Sequence, residues 1–456
     1  MSGKITYRSS TRTSSRVFHQ ESGGPSGPPS TQRSVMKHAR MYAVGAVLAV
    51  ASTALVGCSG GASPDAGKEG RGPITFAQGK DTTGKLQTII DDWNDEHPDE
   101  KVTFVELPES ANDQRTALVQ DFQAGAGTYD VAGLDVVWTA EFAARDWLVP
   151  LDGVDTSGLF ESTVDSGTYD GKLYAAPYNT NAGFLYYRTD LIDTPPTTWA
   201  ELEGDCAVAV TAGIDCYAGQ FAQYEGLTVN FSEAVNSAGG TVIDDGGNVT
   251  LDTPEAKAGL QFLVDGFENG TIPDEAVTYQ EEEGRRAFQA GKLLFLRNWP
   301  YVYGLATQDG ADSVVQDKIG IAPLPGADSP GASTLGGYNL AISKASKNQE
   351  TAKDFITYME SEGVQKKLLT DLSLPPVRSA LYDDAELQKQ VPYLATLKEA
   401  LENAVPRPKA VSYNELSTLI SENVYKALQG AINGNVSVDE TLSKLQDGLQ
   451  KIVDSQ

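Results

Sequence analysis

The stretch Leu173–Leu191, with the sequence LYAAPYNTNAGFLYYRTDL, decides the fold. A short apolar run and a proline precede Asn179 and Asn181, and the aromatic segment Phe184–Arg188 follows Gly183. Aromatic residues favour strands, and strand-like and helix-like segments alternate both before and after this stretch. We therefore predict a strand that leaves one α/β lobe and enters another. Polar side chains at such a crossover face the cleft between lobes, where small ligands bind, although a core strand with a polar turn would give the same pattern.

The chain is acidic and carries enough apolar residues for a packed core. It has 456 residues, 40% hydrophobic and 21% charged, with a net charge of −27. A prior of about 150 residues per domain gives two or three domains. Positions 1–57 hold seven Lys and Arg and one acidic residue, which leaves 28 basic and 61 acidic residues in the rest, a net charge of −33. This charge argues against nucleic acid and against anionic membrane as direct partners.

The N-terminal 57 residues have the pattern of a disordered leader followed by a lipoprotein signal peptide. Lys37 and Arg40 form a positive segment, and Met41–Val56 is apolar but short for a membrane span of about 20 residues. Leu55-Val56-Gly57-Cys58 resembles a lipobox, so we expect cleavage before Cys58 and lipidation of that cysteine. A buried apolar helix ending in a free cysteine is the alternative. A complete signal begins at Met36, so translation starting there is a further expectation, and residues 58–72 are expected to be a flexible tether.

Histidine and cysteine are scarce, which limits the chemistry available. His19 and His38 lie in the leader, and His97 lies at a predicted helix end, so neither a metal site nor a Ser-His triad is expected. We therefore predict no metal and no cofactor. Besides Cys58 the chain has Cys206 and Cys216, an even pair in an exported chain that predicts a disulfide in a glycine-containing loop.

From Pro73 onward the first lobe follows a β-α-β-α-β order, which implies a mostly parallel sheet with helices outside. Ligands in such sheets bind beyond the carboxyl ends of strands. Asp135, Trp138 and Glu141 follow the third strand and are candidates for the cleft. The alternative places Trp138 in the core and makes Glu141 a first-turn charge that the helix dipole favours.

A second aromatic cluster, Asn298-Trp299-Pro300-Tyr301, follows a buried strand. Aromatic faces stack on the apolar faces of sugar rings, and burial of that area is favourable. Carboxylates and amides form hydrogen bonds with the sugar hydroxyls. Binding is selective because a ligand that leaves these groups unpaired loses free energy. Two more crossings are predicted at Leu335–Ile342 and at Leu374–Arg378. Glu282 precedes the cluster and is expected on a solvated helix face, with contact to a ligand hydroxyl as the alternative.

The order of motifs resembles the extracellular solute-binding proteins of ABC sugar importers (family 1), and within them the actinobacterial trehalose/maltose-binding lipoproteins. The resemblance covers about 380 residues, and each motif is weak when taken alone. The motifs are the lipobox at Cys58, GPITFAQGKD (72–81), DVVWTAEFAARDWLVPL (135–151), AAPYNTNAGFLYYRTDL (175–191), LRNWPYVYG (296–304), LGGYNLAIS (335–343) and VPRP (405–408).

The resemblance implies an α/β fold of the two-lobe periplasmic-binding-protein type (type II), with three interlobe crossings and a central cleft. Lobe I would comprise 73–180 and 340–378, and lobe II 181–339 and 379–456. The implied cleft residues are Asp135 or Glu141, Asn179 and Asn181, Trp299 and Tyr301, Gly336 and Gly337, and Arg407, with Lys80 and Asp81 adding contacts.

The implied function is the capture of an α-linked glucose disaccharide or oligosaccharide, of the trehalose or maltose type, for an ABC permease. The protein would be a monomer on the outer face of the cell membrane, held there by its lipid anchor alone, and would not be an enzyme. One rival is a secreted glycoside hydrolase that uses two carboxylates. A second rival is a binding protein for a peptide, polyamine or oligogalacturonide. A third is a purely structural lipoprotein.

Overall fold

The computed structural model describes residues 69–244, 246–308, 310 and 312–455. Cys58, the leader and most of the tether lie outside these residues. The described strands are β1 (Ile74–Gln78), β2 (Val102–Glu106), β3 (Val131–Asp135), β4 (Thr168–Tyr169), β5 (Lys172–Leu173), β6 (Ala175–Asn181), β7 (Phe184–Arg188), β8 (Asp215–Ala218), β9 (Leu293–Asn298), β10 (Ile319–Ala322) and β11 (Gly336–Ile342).

Helices cover the two larger sheets that these strands form, and β4 and β5 pair with each other in a separate two-stranded sheet. The helices are α1 (Leu86–Glu96), α2 (Ala111–Ala124), α3 (Thr139–Ala144), α4 (Glu161–Ser166), α5 (Trp199–Ala212), α6 (Glu225–Ser237), α7 (Pro254–Asn269), α8 (Glu281–Gln289), α9 (Tyr301–Thr307), α10 (Gln349–Met359), α11 (Glu362–Leu372), α12 (Ala385–Gln390), α13 (Leu394–Glu402), α14 (Tyr413–Ile432) and α15 (Val438–Val453). Short 3-10 helices span Asp274–Thr278 and Ser379–Asp383.

The first sheet has the strand order β2-β1-β3-β11-β6. β1 pairs in parallel with β2 and β3, while β11 runs antiparallel between β3 and β6. The parallel part follows from the alternation of strands and helices, because a parallel pair needs a crossover connection. The apolar face of α1, which includes Ile90 and Trp93, is buried with Phe76 of β1 in the core of this lobe.

The second sheet has the order β10-β7-β9-β8, with β7 antiparallel to both neighbours. Helix α6 packs on α7 and α14, and all of its residues from Glu225 to Val235 are buried. Helix α15 lies against α14 and α7, and its Leu445 and Leu449 are buried in the core of the second lobe.

The chain passes between the sheets three times. Only Ala182 and Gly183 separate β6 from β7, so the stretch that we predicted as a single strand is two strands in different sheets. The second passage joins β10 to β11. The third follows α11, after which Tyr382 enters the core of the second lobe. The lobe boundaries expected from the sequence placed Asn181 and the start of β11 in the second lobe. Both belong to the first sheet, because β11 pairs with β6 from Gly336 and Asn181 onward.

The cysteine pair forms a disulfide, although not within a loop. Cys206 lies inside α5 and Cys216 lies in β8, with their Cα atoms 5.1 Å apart. The glycine that suggested a loop, Gly213, instead ends α5 in the left-handed conformation (φ 69°). The bond therefore fixes a helix to the neighbouring strand of the second sheet.

Across the described part of the chain, no helix combines the length and apolar character that a membrane span requires.

Replacing both cysteines by serine (Cys206→Ser with Cys216→Ser) should lower the free energy of unfolding by about 2–3 kcal/mol, because the closed loop is short. Urea denaturation of the two proteins measures this difference. Ligand affinity should not change, since neither cysteine lines the cavity described below. A double variant as stable as the parent would show that the bond adds nothing to the folded state.

Candidate functional site

A cavity of about 200 Å³ is lined by residues from both lobes. Its first wall comes from the ends of β1, β3 and β6, the start of β11, the loop before α1, and α2. Its second wall comes from α6, α8 and the segment after β9, with Arg407 from the late loop. The lining residues are Gln78, Gly79, Lys80, Asp81, Thr82, Thr83, Leu86, Glu109, Ala111, Gln114, Asp135, Tyr178, Asn179, Asn181, Glu225, Gly226, Val229, Glu281, Glu282, Trp299, Tyr301, Gly336, Gly337, Tyr338, Leu372, Leu374 and Arg407.

Strand direction explains the first wall. β6 is antiparallel to β11, which is antiparallel to β3, so β6 runs the same way as β1 and β3. The carboxyl ends of all three strands therefore meet at one edge, where open α/β sheets bind ligands. Gln78, Asp135 and Asn179 lie at these ends and line the cavity.

Several lining groups at this edge have hydrogen-bonding capacity that the protein itself does not use. Both side-chain polar atoms of Asn179, Oε1 of Gln78 and the hydroxyl of Tyr178 are buried without a partner among the described residues. Asn179 is only 1% exposed. A buried polar group without a partner costs about 1–3 kcal/mol, so these groups are suited to a ligand rich in hydroxyls.

Gly337 brings β11 close to β6 beneath this edge. Its φ is +121°, and a Cβ there would lie 2.2 Å from the carbonyl oxygen of Asn179. Only glycine avoids both the backbone strain and the overlap. The close approach sets the position of Asn179 in the wall.

Trp299 and Tyr301 provide aromatic surface on the second wall. The backbone carbonyl of Trp299 accepts a hydrogen bond of 2.7 Å from the Tyr186 hydroxyl. A Cβ at Gly336 would lie 3.1 Å from the Trp299 indole, so the two walls are close together here. Tyr178 and Tyr338 add aromatic area from the first wall.

Arg407 joins the two walls through carboxylates. It donates to Asp135 at 2.9 Å on the first wall and to Glu225 on the second. Tyr413 donates to Glu225 at 2.6 Å, and Ser417 donates to its other oxygen. Burial alone would lower the pKa of Arg407. The interactions with Asp135, Tyr413 and Glu225 outweigh burial, so the pKa lies above the ordinary value of an arginine. Burial raises the pKa of Glu225 despite Arg407. The arginine therefore stays charged, and its Nε has no partner among the described residues.

Glu282 is buried, which corrects the expectation of a solvated helix face. It is 5% exposed, accepts a 2.9 Å hydrogen bond from the Tyr301 hydroxyl, and accepts a 2.7 Å hydrogen bond from Arg285 Nε. Burial opposes its ionisation, but Arg285, Tyr301 and Arg286 together hold the pKa of the carboxyl below its ordinary value. Glu282 is therefore ionised, and its carboxylate holds the Tyr301 hydroxyl in place.

Lys80 and Asp81 line the cavity, yet both already have partners. Lys80 pairs with Glu109 at 3.2 Å. Asp81 accepts from the backbone amides of Thr83 at 2.9 Å and Leu86 at 2.8 Å. Because these amides precede or begin α1, Asp81 fixes the loop that leads into the helix.

The structure does not bring Trp138 and Glu141 to the cavity. Trp138 is 4% exposed and lies in the apolar core behind the first sheet. Glu141 lies in the first turn of α3 and pairs with Arg115, which donates through Nε at 3.1 Å, and with Arg145 at 3.0 Å. Asp135 lines the cavity, whereas neither of these two side chains does.

The lining residues that sequence reasoning did not select include Tyr178, Tyr338, Gln78, Gln114, Glu225 and Glu281. Tyr178 and Tyr338 lie inside motifs already quoted, so the alternation of aromatic residues with small ones was their signal. Gln78 also lies inside a quoted motif, at the end of β1, whereas Gln114, Glu225 and Glu281 carried no local signal. Burial raises the pKa of Glu281. Within the described ranges, no group of three or more His, Cys, Asp or Glu side chains is placed to hold a metal ion.

Comparison with known proteins identifies the family. Residues 79–366 match the family described as bacterial extracellular solute-binding protein, and the chain belongs to it. A probable ABC transporter-binding protein of Deinococcus radiodurans is 35% identical over 346 residues, which cover 72% of this chain and 81% of that protein. The mannitol-binding protein of Pseudomonas aeruginosa is 27% identical over 79% of this chain and 88% of its own length.

The solved structures include maltose-bound T. maritima MalE3, with a TM-score of 0.78 and 34% identity over 83% of this chain and 99% of that one. These similarities confirm the predicted two-lobe α/β fold and the predicted family. Because the family consists of solute-binding proteins, they also confirm that the chain is a binding protein and not an enzyme.

Gly337→Ala should destabilise the protein by about 3 kcal/mol, at the upper end for a single substitution, because the new methyl group meets a backbone oxygen in a strained conformation. Gly336→Ala is the matched control, because its methyl group would lie 3.1 Å from a side chain in place of 2.2 Å from a backbone oxygen, and its φ lies outside the left-handed region. Urea denaturation compares the two variants. Equal stability of the two variants would mean that the approach of β11 to β6 does not require glycine.

Proposed function

We propose that this chain is the substrate-binding component of an ABC importer for a neutral sugar or polyol, and that its ligand is an α-linked glucose disaccharide or oligosaccharide of the maltose or trehalose type. It delivers this ligand to the membrane permease unchanged. The observation that carries the proposal is one cavity that combines Trp299 and Tyr301 with buried, unpartnered groups on Asn179, Gln78 and Tyr178.

This combination matches the two surfaces of a sugar. The C–H faces of the ring are apolar and gain free energy when an aromatic face removes them from water. The hydroxyls need donors and acceptors in exchange for water, and a ligand that lacks them leaves the protein's own groups unpaired. Asn179 offers a donor and an acceptor from one side chain.

The charges of the cavity favour a neutral ligand. Among the described lining residues the cations are Lys80 and Arg407, and each is already paired with a carboxylate. Sugar phosphates and uronic acids would bring a negative charge to a wall that also carries Glu281 and Glu282. Like charges repel strongly where water is excluded, so these ligands should bind far more weakly than neutral sugars.

Relatives support the ligand class and differ in the ligand itself. The structure of T. maritima MalE3 holds maltose. A 27% identical relative is named for mannitol, and a relative from Halalkalibacterium halodurans, 25% identical, is named for arabinooligosaccharide. The higher identity and the aromatic surface favour the disaccharide, because a linear polyol presents no ring face for stacking.

Trp299→Ala should weaken binding of the preferred sugar by about 2–4 kcal/mol, as expected for a central aromatic residue. Calorimetry on the parent with maltose, trehalose, mannitol, arabinooligosaccharide and glucose 6-phosphate identifies that sugar first. Trp147→Ala is the matched control, because Trp147 also packs on an arginine (Arg145, 5.3 Å) but does not line the cavity.

Two results would contradict the proposal at different levels. Tighter binding of mannitol than of maltose and trehalose would contradict the proposed disaccharide ligand but not the proposed role in transport. Equal affinities of Trp299→Ala and the parent would remove Trp299 from the binding surface.

Attachment to the membrane rests on Cys58, which lies outside the described residues. We propose that Cys58 is lipidated and holds the protein on the outer face of the membrane, where stable anchoring needs two acyl chains or equivalent signals. Cys58→Ala should move the protein from the membrane fraction to the culture medium, as measured by immunoblotting, and Cys206→Ser should not. Retention of Cys58→Ala in the membrane fraction would refute the anchor.

A further inference from the structure

A buried ion pair lies directly behind Trp299. Arg297, at 1% exposure, holds its guanidinium carbon 4.0 Å from the centre of the Trp299 ring. A guanidinium over an aromatic face is attracted by the ring's quadrupole, more strongly where water is excluded. The back of the indole is therefore occupied by a fixed cation, which leaves the opposite face for other contacts.

The guanidinium cannot turn, because it is held on several sides. Its Nε donates to Glu233 at 2.7 Å, a terminal nitrogen donates to the other oxygen of Glu233, and the remaining nitrogen donates to Gln220 at 2.7 Å. Gln220 in turn donates to the backbone carbonyl of Arg297 at 3.0 Å. Forked pairing of this kind fixes both the plane and the position of an arginine.

The same carboxylate also reaches the interlobe crossings. Glu233 accepts from the backbone amide of Thr334 at 3.1 Å, and Ser333 is within 3.5 Å. Ser333 accepts from the amide of Gly183, so the first and second crossings are joined at this point. A Cβ at Gly183 would lie 2.7 Å from Arg297, which shows how closely the first crossing covers the guanidinium.

We propose that Glu233 and Arg297 are positioning residues for ligand binding: they set the angle of the Trp299 ring and tie it to the two crossings. This inference rests on the proposed role of Trp299 as a binding surface. Buried ion pairs seldom stabilise a fold more than apolar residues of equal volume would. Orientation of the ring accounts for the pair better than stability does.

The test uses the full chain labelled with 5-fluorotryptophan, in which Trp299→Phe assigns the fluorine resonance of Trp299. Glu233→Leu with Arg297→Met removes both charges and leaves no buried charge unpaired. Arg188→Met with Asp190→Asn is the matched control, because that pair is also forked, at 2.7 Å through both nitrogens. Arg188 ends β7, Asp190 follows it, and neither residue lines the cavity. Arg297→Lys is a milder variant that keeps the charge and loses the planar fork.

The Glu233 and Arg297 double variant should shift or broaden the Trp299 resonance and weaken maltose binding by about tenfold or more, while the control should change neither. Arg297→Lys should give the same two effects at smaller size, and it decides the matter if the double variant does not fold. An unmoved Trp299 resonance in a folded variant would overturn the inference. The resonance needs no ligand, so failure of the chain to bind any sugar would count against the proposed function alone.

Discussion

The buried guanidinium of Arg407 is the interaction on which the arrangement of the two walls depends. It lies between Asp135, at the end of a strand in the first sheet, and Glu225, on the helix that covers the second. Burying three charges is costly unless each is paired and hydrogen-bonded. Tyr413 and Ser417 supply the remaining donors to Glu225. The pairing therefore favours one approach of the two walls.

Helix α6 carries this organisation into the rest of the site. It holds Glu225 at its first turn and Glu233 two turns later, and each carboxylate fixes one buried arginine. Through Glu225 the helix sets Arg407 and the contact with the first sheet. Through Glu233 it sets Arg297, which lies behind Trp299. One helix buried along most of its length thus positions the polar and the aromatic parts of the same cavity.

The sequence predicted the parts of this structure that local patterns determine. The alternation of strands and helices gave the parallel part of the first sheet, and aromatic clusters marked the strand ends near the crossings. Glu225 could not be found in this way, because its partner Arg407 is 182 residues away in the chain. Glu282 was misassigned because its neighbours are charged, and a run such as EEEGRR has the composition of a solvated face. The strand end before Trp138 and Glu141 was predicted correctly, but only tertiary packing decides whether a residue beyond that end faces the cavity or the core.

The many carboxylates of the cavity make sense as supports rather than as reactive groups. Asp135 and Glu225 hold Arg407, Glu282 holds Tyr301, and Glu109 holds Lys80. A hydrolase would need one carboxyl kept protonated as an acid and another free to attack or to activate water. Here hydrogen bonds from arginines and hydroxyls occupy most of the acidic oxygens, which leaves amides, hydroxyls and aromatic faces for a ligand. A binding surface whose charged groups are mostly paired with each other can select a neutral, hydroxyl-rich molecule by shape and hydrogen bonding, and can release it unchanged.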